Sequence, residues 1–234
     1  MKIKPIRTRI FREGENLISF ILKYLPRVKE GSVIAITSKI VALAERRTVV
    51  LENTNTKRDL IIRESEIAVE TRHAWLTLKD GMIMPSAGID ESNANGKLIQ
   101  LPKDSFKSAA GLRRLLNKHY KTNDLAILIT DSRTTMLRAG TVGVALGYAG
   151  FQGIRDYRNK RDIFGRKFIF QRANIADGLA SAVVLTMGEG NEHCPLAVVT
   201  KAPVQFCKKV DKKELYIPLK DDMYGPILGK FKKS

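Results

Sequence analysis

The chain has 234 residues, and 44% of them are hydrophobic, which is enough for a sizeable core in one large domain or two small ones. Its 41 Lys and Arg outnumber 24 Asp and Glu, so the net charge of +17 favours anionic partners such as nucleic acid or phosphorylated small molecules. No apolar run approaches the roughly 20 residues of a membrane-spanning helix, and the charged first residues lack the apolar segment of a signal peptide. Cys194 and Cys207 show no metal or redox spacing, so we expect free thiols in a cytoplasmic protein.

The first predicted elements alternate between strands and helices. Residues 3–10 have the pattern of a strand, and Asn16 begins an amphipathic helix whose apolar side chains recur at helical spacing. A strand at 33–36 then leads into Ser38 and Lys39. A hydroxyl and an amine after a strand can hold a phosphate, although many strand-to-helix joints share this pattern.

The stretch GIDESN, residues 88–93, follows the apolar run 82–84, a pattern that predicts a buried strand ending in a tight loop. The loop carries Asp90, Glu91 and Asn93, whose oxygen atoms suit a hard cation such as magnesium or manganese. An Asx-rich surface turn is the alternative interpretation of the same residues.

A second polar pair follows the apolar run 124–130, which predicts another buried strand. Asp131 and Ser132 would lie just past its carboxyl end, where open α/β sheets bind their ligands. A helix N-cap is the alternative, but residues 133–140 lack the apolar periodicity of a helix. The two loops could therefore converge on one metal, with Asp90 and Asp131 supplied by different strands.

Later elements are predicted from capping residues, glycines and helical periodicity. Ser105 is a candidate helix cap, the glycines of 140–150 suit close packing or an irregular sheet, and 156–166 suits a long hairpin connection. A long helix is predicted at 174–187. The side chains predicted on one face of that helix are Ile175, Leu179, Ala182, Val183 and Thr186.

The end of the chain is predicted to contain a loop, a strand and a basic tail. Gly188 and Gly190 stop the long helix and place Glu189 in a loop, and a strand follows at 195–199. The lysine-rich tail at 208–234 is predicted to be a loosely packed or partly disordered arm.

Several colinear pieces of the chain resemble the coenzyme F420-0:γ-glutamyl ligase family. They are ITSKIVALAE at 36–45, SAGIDESN at 86–93, LPKDSFKSA at 101–109, ILITDS at 127–132, RAGTVGVALGYAGF at 138–151, DIFGR at 162–166 and NIADGLASAVVLTMGEGNEHCPLAVV at 174–199. Their order and spacing hold over roughly residues 5–200, which makes the resemblance far more specific than any single loop.

The resemblance implies an α/β fold of mixed sheets with packed helices. It implies a γ-glutamyl ligase domain at 1–200 and a basic C-terminal arm at 201–234 that packs on the domain or extends it. The resemblance further implies an intertwined dimer with the active site in a groove at the interface, as members of the family form. We therefore expect a homodimer.

The resemblance also implies the chemistry and its residues. The family uses GTP with Mn²⁺ or Mg²⁺, and K⁺ as a further candidate ion, to join L-glutamate through its amine to an acceptor carboxylate activated as an acyl phosphate. Asp90 and Asp131 are the implied catalytic residues, and the implied metal ligands are Asp90, Asp131, Ser132 and Glu189. The implied GTP contacts are Arg7, Thr8, Arg9, Ile10, Ser38, Lys39, Asn93, Met187, Gly188, Glu189, Gly190, Asn191, Glu192, His193 and Cys194.

The chain departs from the family pattern at three places. Leu43 stands where many members have lysine, Arg46 where they have glycine, and 133–138 replaces a loop with a glycine-arginine pair. A missing lysine would weaken a phosphate contact unless Lys39 or Arg46 reaches in. The altered loop bears on which acceptor is used.

Two acceptors remain open within the family. F420-0 is ranked first because Arg133, Arg155 and Arg158 could pair with its phosphodiester. Dihydrofolate is the alternative, since some bacterial relatives are thought to glutamylate folates and resemble the stretch 156–166 of this chain. The aromatic residues proposed to stack on either ring are Phe151, Tyr157 and Phe164.

A rival of another class is a non-catalytic protein that binds nucleotide or RNA through its basic surface. Three loop carboxylates argue against it because they would repel a phosphodiester backbone. A basic surface that only tunes solubility is a further interpretation of the charge, since the basic residues are spread along the chain. We expect small-molecule substrates, no nucleic acid and no membrane partner.

Overall fold

The computed structural model describes residues 1–51 and 54–229. Residues 230–234 of the predicted arm lie outside the described residues. The strands are β1 Lys2–Ile6, β2 Ser32–Thr37, β3 Thr48–Val50, β4 Ile67–Glu70, β5 Trp75–Lys79, β6 Met82–Pro85, β7 Lys97–Ile99, β8 Leu125–Thr134, β9 Thr141–Ala149, β10 Ile154–Asp156, β11 Arg172–Asn174 and β12 Leu196–Thr200. The helices are α1 Leu17–Tyr24, α2 Ser38–Ala44, α3 Thr54–Arg63, α4 Ser105–Tyr120, α5 Ile175–Met187 and α6 Gly225–Leu228.

A five-stranded sheet in the order β1-β12-β2-β8-β9 forms the centre of the molecule. Only β2 and β8 run parallel to each other within this sheet, and its other pairs are antiparallel. The predicted mixed α/β class is therefore confirmed. The parallel pair aligns Thr37 with Thr130, so the residues that follow them, Ser38 and Asp131, come from neighbouring chain segments at the same edge of the sheet.

Helices cover both faces of this sheet because alternate side chains of its strands point to opposite sides. On one face, Ile34, Ile36 and Ile127 join a buried cluster with residues of α1, α2 and α4. On the other face, Val33 and Leu128 pack with α5. None of the helices in the described part of the chain is long and apolar enough to cross a membrane.

The helix starts depend on side-chain caps. Asn16 accepts a hydrogen bond from Ser19 N at 2.9 Å, and α1 begins where the sequence predicts. The cap of α4 is Asp104, which accepts from Lys107 N at 2.8 Å, and not Ser105 as predicted. The extended backbone required of a cap falls at Asp104, so Ser105 becomes the first helical residue.

The buried face of α5 differs from the prediction. Leu179 and Val183 are buried as expected, but Thr186 is exposed. The other buried residues are Ala176, Ala180, Val184 and Met187. These side chains face the sheet, and Gly143 of β9 allows the helix to approach the sheet closely. A Cβ at Gly143 would lie 2.5 Å from the Ala180 carbonyl oxygen.

Three predicted strands have different limits or surroundings. The first ends at Ile6, and its Pro5 is tolerated because β1 is an edge strand. Strand β8 continues through Asp131 and Ser132 instead of ending before them, since β9 pairs with it as far as Thr134. The strand at 82–84 lies in a separate sheet, β4-β5-β6, and is only partly buried.

The described part of the tail contacts the main body of the molecule. Glu214 accepts a hydrogen bond from the Tyr148 hydroxyl at 2.6 Å, and Lys212 lies 2.9 Å from Asp104. Phe206 forms an isolated bridge with Phe151. Residues 157–171 connect the antiparallel strands β10 and β11, so the predicted hairpin connection is confirmed, although it extends beyond residue 166.

Candidate active site

The end of β2 and the neighbouring part of β8 bring two predicted site residues into contact. Ser38 is the first residue of α2, and its hydroxyl lies 3.2 Å from Asp131 Oδ1. This contact follows from the parallel register of the two strands, which aligns Thr37 with Thr130. It joins residues that are far apart in sequence.

The loop after β6 presents Asp90 to the same region. Main-chain hydrogen bonds of 2.9 Å in both directions between Asp90 and Ile99 hold the loop against the last residue of β7. The Asp90 carboxylate accepts from Ser92 N at 2.7 Å, which is the predicted Asx turn. Its other oxygen lies 2.8 Å from Lys39 Nζ. Asp90 therefore both closes the turn and forms an ion pair with Lys39.

Lys39 and Leu43 clarify the predicted departures from the family pattern. Lys39 also donates to the Ser92 carbonyl oxygen at 2.8 Å, so its amine is fixed beside the Asp90 loop. Leu43 packs against the hydrophobic core. Arg46 has a positive φ of 56°, the conformation that a glycine adopts at no steric cost.

The two aspartates have opposite electrostatic environments. Burial alone would raise the pKa of Asp90, but the contacts with Lys39 and Ser92 outweigh it and hold the pKa below its usual value. Burial raises the pKa of Asp131, the charge of Asp90 adds to this effect, and Arg133 and Ser38 offset it only in part. Adjacent residues of α2, Ser38 and Lys39, contact Asp131 and Asp90 respectively, so the start of this helix brings both carboxylates into one region of the molecule.

Arg133, which the sequence placed in the altered loop as a candidate partner of the acceptor phosphodiester, contacts the predicted metal ligand Asp131. It is 5% exposed, and its Nη1 lies 3.3 Å from Asp131 Oδ2. Within residues 1–51 and 54–229, its Nε and Nη2 have no hydrogen-bond partner. Once β8 is known to continue, the two-residue spacing predicts that Asp131 and Arg133 share a face of the strand.

Glu189 lies on the other side of β8. The Ser132 hydroxyl lies 2.7 and 2.8 Å from the two Glu189 carboxylate oxygens, and the Thr141 hydroxyl lies 3.3 Å from one of them. Adjacent residues of a strand point to opposite faces, so the Ser132–Glu189 pair is separated from Asp131 by the strand itself. Among the described residues, no group of three His, Cys, Asp or Glu could hold a metal ion.

The segments implied to bind nucleotide meet at two points. Thr8 N donates to the His193 carbonyl oxygen at 2.8 Å, and Asn93 Nδ2 donates to the Gly190 carbonyl oxygen at 3.4 Å. The loop after α5 therefore contacts both the N-terminal segment and the Asp90 loop. Within that loop, Glu192 accepts from Gly190 N at 2.8 Å.

The remaining residues of the implied nucleotide set have other surroundings. Arg9 forms an ion pair of 2.6 Å with Glu15 and lies over the Phe20 ring. Met187, the last residue of α5, is buried in the core. The thiol of Cys194 lies 3.5 Å from the Glu192 carbonyl oxygen. Arg7, Ile10, Gly188 and Asn191, the members of the set not described above, are exposed, as is Arg9.

The donor atoms fit a hard divalent cation in chemical type. Asp90 and Asp131 supply carboxylate oxygens, and Ser38 supplies a hydroxyl beside them. A cation between the carboxylates would relieve the repulsion that contributes to the raised pKa of Asp131. Glu189 would join the same cation only if it left Ser132.

Comparisons with known proteins identify sequences related to this chain. A family model described as "F420-0:Gamma-glutamyl ligase" matches residues 5–201. A Methanopyrus kandleri protein named "Coenzyme F420:L-glutamate ligase" is 33% identical over 218 residues, covering 85% of this chain and 86% of the relative. A protein of the same name from Methanothermobacter thermautotrophicus is 32% identical over 193 residues, covering 74% and 76%. One from Methanocaldococcus jannaschii is 27% identical over 235 residues, covering 92% and 93%.

These similarities define the class of the protein as an enzyme, an amino-acid ligase. The chain belongs to the F420-0:γ-glutamyl ligase family.

Proposed function

We propose that this chain joins the amine of L-glutamate to the carboxylate of an F420-0-type acceptor, using GTP and a divalent metal. The observation that carries the proposal is the pair of contacts Ser38–Asp131 and Lys39–Asp90, which adjacent residues of α2 make with the two aspartates. The four side chains come from three separate segments of the chain, and family membership provides the reaction class.

The reaction balances in two steps. An acceptor carboxylate oxygen attacks the γ-phosphorus of GTP, the bond to the β-phosphate oxygen breaks, and GDP leaves an acyl phosphate behind. The glutamate amine then attacks the acyl carbon, phosphate leaves with the bonding electrons, and the nitrogen gives up a proton as the amide forms. Both steps bring anions together, so the protein must mainly position groups and compensate charge.

The side chains of the candidate site suit that task. Lys39 provides a positive charge next to the Asp90 loop, and Ser38 provides a hydroxyl next to Asp131. A divalent cation held by Asp90 and Asp131 would neutralise charge on the phosphoryl group and the acceptor carboxylate. Ser132 fixes Glu189 at the other side of β8, where its carboxylate could attract the ammonium group of glutamate.

F420-0 is the favoured acceptor because the matching family model names it and the relatives named above are named for coenzyme F420. Two residues that the sequence suggested as acceptor contacts are engaged elsewhere in the structure. Phe151 is fully buried in the core and cannot stack on a ligand, and Arg158 is paired with Asp156 at 2.5 Å. Arg133 retains two unpartnered nitrogens in the described structure.

The test is incorporation of labelled glutamate into F420-0 and into dihydrofolate, each offered separately with GTP and Mn²⁺ or Mg²⁺. We expect incorporation into F420-0, with release of one GDP per amide bond, and loss of incorporation when the metal is chelated. Incorporation into dihydrofolate alone would overturn the acceptor but keep the ligase class. A chain that binds GTP and metal but modifies neither compound would overturn the proposal.

A further inference from the structure

We propose that a pocket beside the Asp90 loop binds the planar fused ring of the acceptor, with Trp75 as the surface on which the ring stacks. The pocket has a volume of about 300 Å³ and lies between α3 and the sheet β4-β5-β6. This volume is at the lower end of small-molecule pockets and suits a fused ring system. The inference rests on the proposed function, since it concerns the substrate of the same site.

One wall of the pocket combines an aromatic ring with a cation. Trp75 is half-buried and packs against a cluster that includes Ile61 and Ile89, and this packing restricts the position of its ring. The guanidinium carbon of Arg58 lies 5.8 Å from the centre of the Trp75 ring. An aromatic face and a guanidinium plane are two surfaces on which heteroaromatic rings stack.

Polar groups at the rim provide hydrogen bonds of both kinds. Lys57 and Arg58 are donors, and Glu70 is an acceptor. A fused ring with a lactam edge carries carbonyl oxygens that accept and an N–H that donates. The pocket therefore matches a neutral or weakly acidic lactam ring better than a simple hydrocarbon ring.

The pocket is close enough to Asp90 for one substrate to reach both. Ser86 lines the pocket and lies four positions before Asp90 in the chain, a span of at most about 14 Å. Lys57 is also paired with Glu91, the residue after Asp90. An acceptor with a ring at one end and a carboxylate at the other would place the ring by Trp75 and the carboxylate by Asp90.

The two ends of the Asp90 loop face different neighbours. The Ser86 end faces the pocket, whereas Asn93 at the other end bonds to Gly190 in the loop after α5. With the nucleotide at the loop after α5, as the family resemblance implies, the acceptor and the nucleotide would approach Asp90 from opposite ends of its loop. This arrangement favours the acceptor ring over guanine as the occupant, although guanine also has a lactam edge.

Trp75 is the only tryptophan of the chain, so its fluorescence reports on this pocket directly. The full-length protein is titrated with the deazaflavin ring bearing only its ribityl chain, with dihydropteroate, and with guanosine and GDP. Light absorption by each ligand is corrected with a parallel titration of N-acetyltryptophanamide. We expect saturable quenching by one of the acceptor rings, and none by guanosine or GDP.

Variants on α3 separate a specific contact from a general effect of charge. Arg58→Gln is expected to weaken binding of the quenching ring by about tenfold, because it removes the guanidinium over Trp75. Arg63→Gln removes an exposed arginine from the last turn of the same helix and is expected to leave binding unchanged. Trp75→Phe keeps an aromatic face but abolishes the fluorescence signal.

Each outcome decides the inference independently of the ligase assay. Saturable quenching by guanosine or GDP without quenching by either acceptor ring would assign the pocket to the nucleotide and overturn the inference. No quenching by any ring, in a protein that still ligates glutamate to an acceptor, would overturn it as well. Quenching by an acceptor ring that Arg58→Gln weakens would support it, even if the ligase assay failed.

Discussion

Arg133 points one guanidinium nitrogen, Nη1, at Asp131 from 3.3 Å, while its Nε and Nη2 are buried and have no hydrogen-bond partner among the described residues. Burial lowers the pKa of Arg133, and the charges of Asp131 and Asp177 offset this only in part. Nε and Nη2 form the edge of a guanidinium that binds a carboxylate or phosphate through two parallel bonds. The pair thus places a buried arginine, with two donors unsatisfied within the described structure, beside Asp131.

The energetic coupling of this pair can be measured by unfolding in urea. Asp131→Asn leaves Arg133 buried without its counter-charge, and we expect it to lower the free energy of unfolding by about 2–4 kcal/mol. Arg133→Met combined with Asp131→Asn removes both charges and is expected to recover most of that loss. Additive losses in the double variant would show that the two side chains do not interact.

Ligation should depend on both aspartates. Asp90→Asn and Asp131→Asn are each expected to reduce metal-dependent glutamate incorporation by about 100-fold or more, because each removes a charge that compensates the transferring phosphoryl group. Circular dichroism checks that each variant is folded. Asp124→Asn, which changes the residue just before β8 begins, is the matched control and should leave the rate unchanged. Near-normal incorporation by either site variant at low metal would contradict the assignment.

Glu64 is expected to make stability depend on pH. Its carboxylate lies 2.7 Å from Lys79 and 2.9 Å from Arg47. Burial alone would raise its pKa, but the two cations outweigh burial and hold the pKa below its usual value. This stabilisation is fully present above the unfolded pKa of about 4.3 and is lost as the pH falls through the lower folded value.

The variant Glu64→Gln tests this dependence. We expect it to lower the free energy of unfolding by about 1–3 kcal/mol at neutral pH, and to differ progressively less from the wild type below about pH 4. Glu66→Gln alters an exposed carboxylate nearby and should have little effect at any pH. A Glu64→Gln difference that stayed constant down to pH 2 would contradict the charge explanation.

Gly143 determines how closely α5 approaches the sheet. An added Cβ would lie 2.5 Å from the Ala180 carbonyl oxygen and 2.7 Å from Val184 Cβ. Gly143→Ala is therefore expected to cost about 1–3 kcal/mol and to weaken ligation, because α5 leads into the loop that carries Glu189. Gly178→Ala, in α5 with nothing within 4 Å of the added carbon, should instead stabilise by about 0.5–1 kcal/mol. Thermal unfolding of both variants distinguishes the two effects.

The protein is expected to be a homodimer. The connection between β10 and β11 exposes several large apolar side chains, namely Ile163, Phe164, Ile169 and Phe170, and clusters of this kind commonly mark interfaces. Light scattering at micromolar concentration should give a mass of twice the 26.2 kDa of one chain. Phe164→Asp with Phe170→Asp should shift the protein toward the monomer, and a monomeric wild type would rule out a shared groove.

The sequence by itself determined the elements whose signals are local. The cap at Asn16 and the apolar spacing after it predicted α1, and the run at 124–130 predicted the buried part of β8. These signals depend on hydrogen bonds and side-chain periodicity within a few residues. The order of the motifs also predicted the family, which the match to residues 5–201 confirms.

Only the tertiary structure decided how the site is assembled. Strand β8 extends through Asp131 because β9 supplies hydrogen-bonding partners there, and this extension turns Ser132 and Glu189 away from Asp131. The ion pair of Lys39 with Asp90 joins segments whose approach depends on the packing of the whole chain. Burial of Arg133 has the same origin. A residue's charge is written in the sequence, but its neighbours and its access to water are set by distant segments, and these control its pKa and its chemistry.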